Sequence, residues 1–173
     1  MSSISRETIG VDGSSVVELL EPSGDVVEAR RIGDFIACVQ DGAWMLRVLV
    51  IDDIHNCADS LSTLVRLWGH DVQTAYNSAS ALEMMGSRQP DVALVELAMP
   101  NMDGIQLARR LRQQMRFNHT LLIAVTGYAD QAHRLLCDEA GFDHYLFKPI
   151  ELTDLENLLL SERYRLARFS RKE

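Results

Sequence analysis

The sequence predicts an α/β domain, a five-stranded parallel sheet covered by helices on both faces, preceded by a short extension. Three observations carry this. Five short apolar runs alternate with five longer segments whose apolar residues recur at helical spacing, the pattern of repeated strand–helix units. Three of the short runs, Leu46 to Ile51, Val92 to Val95 and Leu121 to Val125, are almost unbroken in Val, Leu, Ile and Ala, as in strands buried on both faces. Four of the five runs end in polar groups, namely Asp52 with Asp53, Glu96, Thr126 and Lys148, which a parallel sheet gathers on one edge.

The regular pattern begins at Leu46. Leu46 to Ile51 is a β-branched run ending in Asp52-Asp53; Cys57, Leu61, Leu64, Val65 and Trp68 then mark the inward face of a helix stopped by Gly69. Val72 to Ala75 is a second strand. The helix after it starts near Asn77 or Ser78, turns Ala81, Leu82 and Met85 inward, and ends at Gly86. Asp91 to Val95 runs straight into Glu96 as a third strand, followed by a Pro-containing turn. Gly104 to Met115 is the next helix, with Leu107, Ala108 and Leu111 inward and Arg109, Arg110 and Arg112 toward water. Leu121 to Val125 ends at Thr126. Asp130 caps a helix that turns Ala132, Leu135, Leu136 and Ala140 inward and closes at Gly141. A last strand, His144 to Phe147, meets Lys148-Pro149, and the final helix uses Leu152, Leu155, Leu158 and Leu159.

Before this domain, residues 1–15 are polar and read as frayed. Two apolar clusters, Val16 to Leu20 and Val26 to Glu28, flank a Pro-Ser-Gly turn and suggest a small hairpin. Ile32 to Val39 is apolar enough for a further strand or helical turn, and residues 40–43 make a boundary. The chain thus divides into an extension over residues 1–45, a domain over 46–162, and a basic tail over 163–173.

With 173 residues, 47% hydrophobic and 24% charged, the chain is long enough for one full core. It has neither a spanning apolar run nor a signal segment, and reads as cytoplasmic with no membrane partner. The net charge of -8 argues against direct nucleic-acid binding. The tail holds Arg163, Arg165, Arg168, Arg171 and Lys172, a run that usually belongs to a solvated helix end. Cys38, Cys57 and Cys137 lack metal-ligand spacing and read as bland thiols.

At the strand ends, Asp52, Asp53 and Glu96 would repel one another unless a cation joined them, and such oxygen ligands suit Mg2+. Thr126 supplies a hydroxyl and Lys148 an ammonium, both suited to phosphoryl oxygens. Val50-Ile51-Asp52-Asp53, Met99-Pro100-Asn101-Met102-Asp103-Gly104, Thr126-Gly127 and the run Ala140 to Pro149 together resemble the response-regulator receiver domain of two-component signalling, over residues 46 to about 162. The resemblance implies a doubly wound, flavodoxin-like sheet in strand order 2-1-3-4-5. It implies Mg2+ held by Asp52, Asp53, the acceptor residue and the main-chain carbonyl of Ala98. It makes Thr126 the switch hydroxyl, Tyr145 the switch aromatic, and Lys148 the phosphate-binding lysine. Pro149 matches the family's proline at a position where a cis bond is common.

The sequence departs from the family where Glu96 stands in place of the phospho-accepting Asp. One extra methylene displaces the carboxylate by roughly 1–1.5 Å, and an error of about 1 Å can cost on the order of 10²-fold in a transfer step. The expected function is therefore a non-enzymatic receiver with impaired phosphotransfer, with Mg2+ retained weakly. Its implied partners are a histidine kinase or phosphotransfer protein, a downstream protein, and a second copy across the face formed by 130–140, Tyr145 and 151–160. Two alternatives stand beside it. One is a degenerate scaffold without metal or phosphate chemistry. The other is a phosphotransfer enzyme of the haloacid-dehalogenase kind, whose two aspartates are spaced two apart rather than adjacent like Asp52 and Asp53.

Overall fold

The computed structural model describes residues 4–9, 15–20, 26–31, 45–127 and 131–170. The chain divides into two compact units, Met1–Trp44 and Met45–Glu173. The first contains a three-stranded antiparallel sheet, β1 (Ile4–Ile9), β2 (Ser15–Leu20) and β3 (Val26–Arg31), in that order. Pairing runs from Ile4 opposite Leu20 on one side to Val16 opposite Arg31 on the other, with a register shift between Leu19 and Leu20. The expected hairpin is the β2–β3 pair. The strand β1 lies where the sequence reads as frayed, because Ile-Ser-Arg-Glu-Thr-Ile is apolar only at its two ends. The segment from Ile32 to Val39 and the boundary at 40–43 lie outside the described residues.

The second unit is a five-stranded parallel sheet. Its strands are β4 (Arg47–Ile51), β5 (Asp71–Ala75), β6 (Val92–Val95), β7 (Leu121–Thr126) and β8 (His144–Phe147), ordered β5-β4-β6-β7-β8. This is the 2-1-3-4-5 order with all neighbours parallel. Between the strands run α1 (His55–Leu67), α2 (Ser78–Ser87), α3 (Gly104–Arg112) and α4 (Gln131–Ala140), and α5 (Leu152–Ser170) follows the last strand.

Successive side chains of a strand point to opposite faces, and both faces of the central strands β4, β6 and β7 are buried. Leu49, Ile51, Ala93, Val95, Leu122 and Ala124 form one core with Ala81 and Met85 of α2, Leu107, Ala108 and Leu111 of α3, and Cys137 and Ala140 of α4. Val48, Val50, Val92, Leu94, Ile123 and Val125 form the other with Ala58 and Val65 of α1 and Leu155 and Leu159 of α5. Unbroken apolar strands are what two covered faces require.

Local signals set the helix ends. Asn77 caps α2 by accepting from the Ser80 N–H at 2.8 Å, and Asp103 caps α3 by accepting from the Gln106 N–H at 2.7 Å. Gly69 ends α1 at φ +85° and Gly141 ends α4 at φ +91°, where a Cβ would be strained. The expected cap Asp130 lies outside the described residues.

Several helix faces differ from the sequence expectation. On α1, Cys57 is exposed and Ala58 takes the inward place. On α4, Cys137 and Ala140 are buried while Leu135 and Leu136 are 56% and 41% exposed and Ala132 is exposed. The stripes 132-135-136-140 and 137-140 are both helical, and apolar character alone picked the wrong one. Leu152 is half-exposed at the start of α5. The helix α2 continues one residue past Gly86. The helix α3 stops at Arg112, and a 3-10 turn over Met115–Phe117 drops Phe117 into the core. Arg112 does not face water: its guanidinium donates to the carbonyls of Gly141, Phe117 and Thr120 and to the Asp143 carboxylate.

Candidate functional site

The carboxyl ends of β4, β6, β7 and β8 bring their polar residues to one edge. Glu96 leaves β6 directly, its N–H bonded to the Ile51 carbonyl at 2.9 Å, so its side chain starts from a fixed backbone. The loop after it is held tightly. The Gly104 N–H reaches the Leu97 carbonyl at 3.0 Å, and a Cβ on Gly104 would lie 2.5 Å from the Glu96 carbonyl oxygen. Only glycine permits that approach of α3 to the strand end. Asn101 takes a left-handed conformation, φ 66°, which asparagine tolerates better than most residues. The Ser78 hydroxyl donates to the Met102 carbonyl at 2.7 Å and pins the same loop to α2.

Three of the residues singled out in the sequence meet. The Lys148 ammonium donates to Asp52 Oδ2 and to Glu96 Oε2, both at 2.6 Å. The remaining oxygens also have partners: Ile54 N–H donates to Asp52 Oδ1 at 2.9 Å, and Ala98 N–H donates to Glu96 Oε1 at 2.8 Å. Asp52 and Glu96 are buried, and Lys148 is partly open to solvent. Burial by itself would lower the lysine pKa. Its hydrogen bonds to Asp52 and Glu96 and their negative charge outweigh that, and the ammonium is held above its ordinary value.

Thr126 is fully buried at the end of β7, and its carbonyl accepts from the Lys148 N–H at 2.9 Å. The Lys148–Pro149 peptide is cis. Tyr145 is half-buried on β8 and meets Phe147 edge to face, with ring centroids 4.7 Å apart. Asp53 is half-buried beside the cluster and takes no part in the bonds that join Asp52, Glu96 and Lys148.

The expected Mg2+ centre does not fit this arrangement. Among the described residues, no group of three or more His, Cys, Asp or Glu is placed to hold a metal ion. Mg2+ demands near-octahedral oxygen ligands at about 2.0–2.1 Å. Here the two buried carboxylates turn an oxygen each to an ammonium and the other to a backbone N–H, and Asp53 completes no group of three with them. Ala98, expected to offer its carbonyl to the metal, supplies its N–H to Glu96. The expectation of Mg2+ held by Asp52, Asp53, Glu96 and Ala98 is therefore corrected.

The N–H groups of Ile54 and Ala98 were not foreseen as part of the site. For Ile54 the signal was present, since an aspartate at a turn often accepts from the N–H two residues on; the Glu96–Ala98 bond has the same spacing.

The family model for the response regulator receiver domain matches residues 48–160. The chain belongs to the receiver domain family. It is 33% identical over 120 residues to the 14.6 kDa protein of the sodA1 3' region of Leptolyngbya boryana, covering 69% of this chain and 90% of that one. It is 32% identical over 120 residues to the regulatory protein AtoC of Escherichia coli, covering 69% of this chain and 25% of AtoC. With the response regulator MprA of Mycobacterium ulcerans it shares 32% over 110 residues, 64% of this chain and 47% of MprA. It thus spans a quarter of AtoC and about half of MprA. Among solved structures, the receiver domain of the Francisella response regulator 1452 superposes with a TM-score of 0.65 at 27% identity, over 70% of this chain and 98% of that one. A CheY-like receiver from Methanospirillum hungatei gives 0.63 at 26% identity, over 70% and 98%. A receiver is a signalling module and not a member of a catalytic enzyme family, which removes the haloacid-dehalogenase alternative. Among the described residues no helix is long and apolar enough to cross a membrane.

Proposed function

We propose that this chain is the receiver module of a two-component phosphorelay in which Glu96 takes the acceptor position, phosphotransfer is impaired, and output passes through protein contacts. A histidine kinase or phosphotransfer protein is the upstream partner and a further protein the downstream one. The observation that supports this reading is the engagement of both Glu96 oxygens, one by Lys148 and one by the Ala98 N–H. A nucleophilic oxygen must approach phosphorus in line, and this carboxylate carries one methylene more than aspartate and is already bonded on both sides. Misplacement by about 1 Å costs on the order of 10²-fold. With one negative charge against the nearly two of a phosphoryl group, Glu96 imitates the phosphorylated state only in part.

The test compares wild type with Glu96→Asp, each incubated with acetyl phosphate and with a phosphohistidine donor, with magnesium in the buffer throughout, and followed by intact mass. The variant is expected to acquire a phosphoryl group at least about 10²-fold faster than wild type. Equal rates, with the group mapped to Glu96, would refute the proposal. If neither protein is modified, the degenerate-scaffold reading takes its place.

A further inference from the structure

The donor set at the sheet edge supports a statement about regulation of the same pocket. We infer that the Lys148 ammonium is the resident cation of this acidic pocket, and that it closes the pocket to divalent metal ions. Two buried carboxylates on neighbouring strands would repel across the pocket without a positive charge between them. Lys148 supplies that charge from within the chain, with its nitrogen 2.6 Å from an oxygen of each. A metal bridging these two acids through the same oxygens would have to displace the ammonium. The outer oxygens are poorer ligands, because each already accepts an N–H, from Ile54 at 2.9 Å and from Ala98 at 2.8 Å, and has one fewer lone-pair site to offer. Nor does Asp53 complete a group of three acids around them.

The lysine also joins three separate parts of the chain. Asp52 follows β4, Glu96 follows β6, and Lys148 follows β8, where its own N–H is tied to Thr126 at the end of β7. A divalent ion would join only the acids of β4 and β6, whereas the ammonium also fixes the β8–α5 connection. The pocket is therefore held in one arrangement independently of metal concentration. This inference concerns the same pocket as the proposed receiver role without depending on phosphotransfer, so its test reads metal binding and leaves the phosphorylation assay to judge the other.

Mn2+ serves as a paramagnetic probe for a site built of hard oxygen ligands. Free Mn2+ is measured by electron paramagnetic resonance, and thermal unfolding is followed in parallel, for wild type and Lys148→Met at constant ionic strength. Wild type is expected to leave the free-ion signal and the melting temperature unchanged up to about 10 mM Mn2+, since a ligand that does not bind the native state does not stabilise it. Lys148→Met is expected to deplete the signal saturably and to gain a metal-dependent rise in melting temperature. Added Glu96→Gln should reverse the gain. Should Lys148→Met fail to fold, Lys148→Gln is measured in its place. Saturable Mn2+ binding by wild type overturns the inference, and so does a folded Lys148 variant that binds no better than wild type.

Discussion

Replacing Arg112 by Ala should destabilise the receiver unit by roughly 2–4 kcal/mol. Its Nε donates to the Gly141 carbonyl at 2.9 Å, one terminal nitrogen donates to Phe117 and Thr120 at 2.7 and 3.0 Å, and the other meets Asp143 at 2.7 Å. The Phe117 carbonyl keeps a second donor, the Thr120 N–H, so it loses little. The carbonyls of Thr120 and Gly141 lose a charged donor, at about 1–2 kcal/mol each after water partly replaces it. The ion pair adds less than about 1 kcal/mol, because Asp143 is 41% exposed. Urea unfolding followed by circular dichroism measures the sum. A second variant checks the geometry: a Cβ on Gly141 would lie 2.7 Å from Arg112 Cγ, at a backbone φ of +91°. Gly141→Ala should therefore cost more in wild type than in Arg112→Ala, with a coupling of at least about 1 kcal/mol, and leave only the left-handed strain in the second background. An Arg112→Ala protein within about 0.5 kcal/mol of wild type, the range of an ordinary surface change, would refute the argument.

Other substitutions test other parts of the fold. Gly104→Ala should cost at least about 2 kcal/mol in urea unfolding despite alanine's helix preference, because the added carbon meets the backbone of Glu96 and Leu97 rather than a yielding side chain. His70 is buried with its Nδ1 unpartnered, and burial, aided by the charge of Arg163, pushes its pKa down to about 4 from 6.5. The unfolded chain therefore binds the proton first, and stability falls as pH drops from 6.5 toward 4. By linkage His70 accounts for about 3 kcal/mol of that loss. In paired unfolding curves His70→Leu should lose less stability than wild type by about that amount between pH 7 and pH 4, and parallel curves would contradict the assignment. Leu135→Gln should change stability by no more than about 0.5 kcal/mol, since Leu135 is exposed on α4; a loss near 2 kcal/mol would restore it to the core.

The sheet was legible because burial on both faces leaves a plain mark: strands such as Val92–Val95 contain nothing but apolar residues. The strand-end residues were legible for the complementary reason, that Asp52, Glu96, Thr126 and Lys148 follow predominantly apolar runs. What these residues do to one another was not. Three acids at strand ends suggested a metal, and only the placement of the Lys148 nitrogen shows that the chain carries its own cation. Arg112 was misread because a helix pattern records apolar spacing and says nothing of carbonyls left by a neighbouring turn. Leu135 and Leu136 were misread for a related reason, since an exposed apolar stripe and a buried one have the same period. The strand β1 escaped notice because its pairing uses backbone groups, which every residue possesses.

The opposite, amino-terminal edge of the sheet carries a separate set of charges. Arg47 opens β4 and grips Asp91 through its backbone N–H, its Nε and a terminal nitrogen. Arg88 reaches Asp71 at the start of β5, and Arg112 reaches Asp143, whose carboxylate also accepts from Leu122 N–H in β7. Arg165 in α5 pairs with the buried Glu162 and donates to the His119 carbonyl just ahead of β7. Strand registration is thus clamped at one rim of this sheet while the cluster of Asp52, Glu96 and Lys148 sits at the other. Residues at the carboxyl rim can be exchanged with the clamps untouched. A module wired this way lets signalling properties drift or be redesigned without first finding a new way to hold the sheet together.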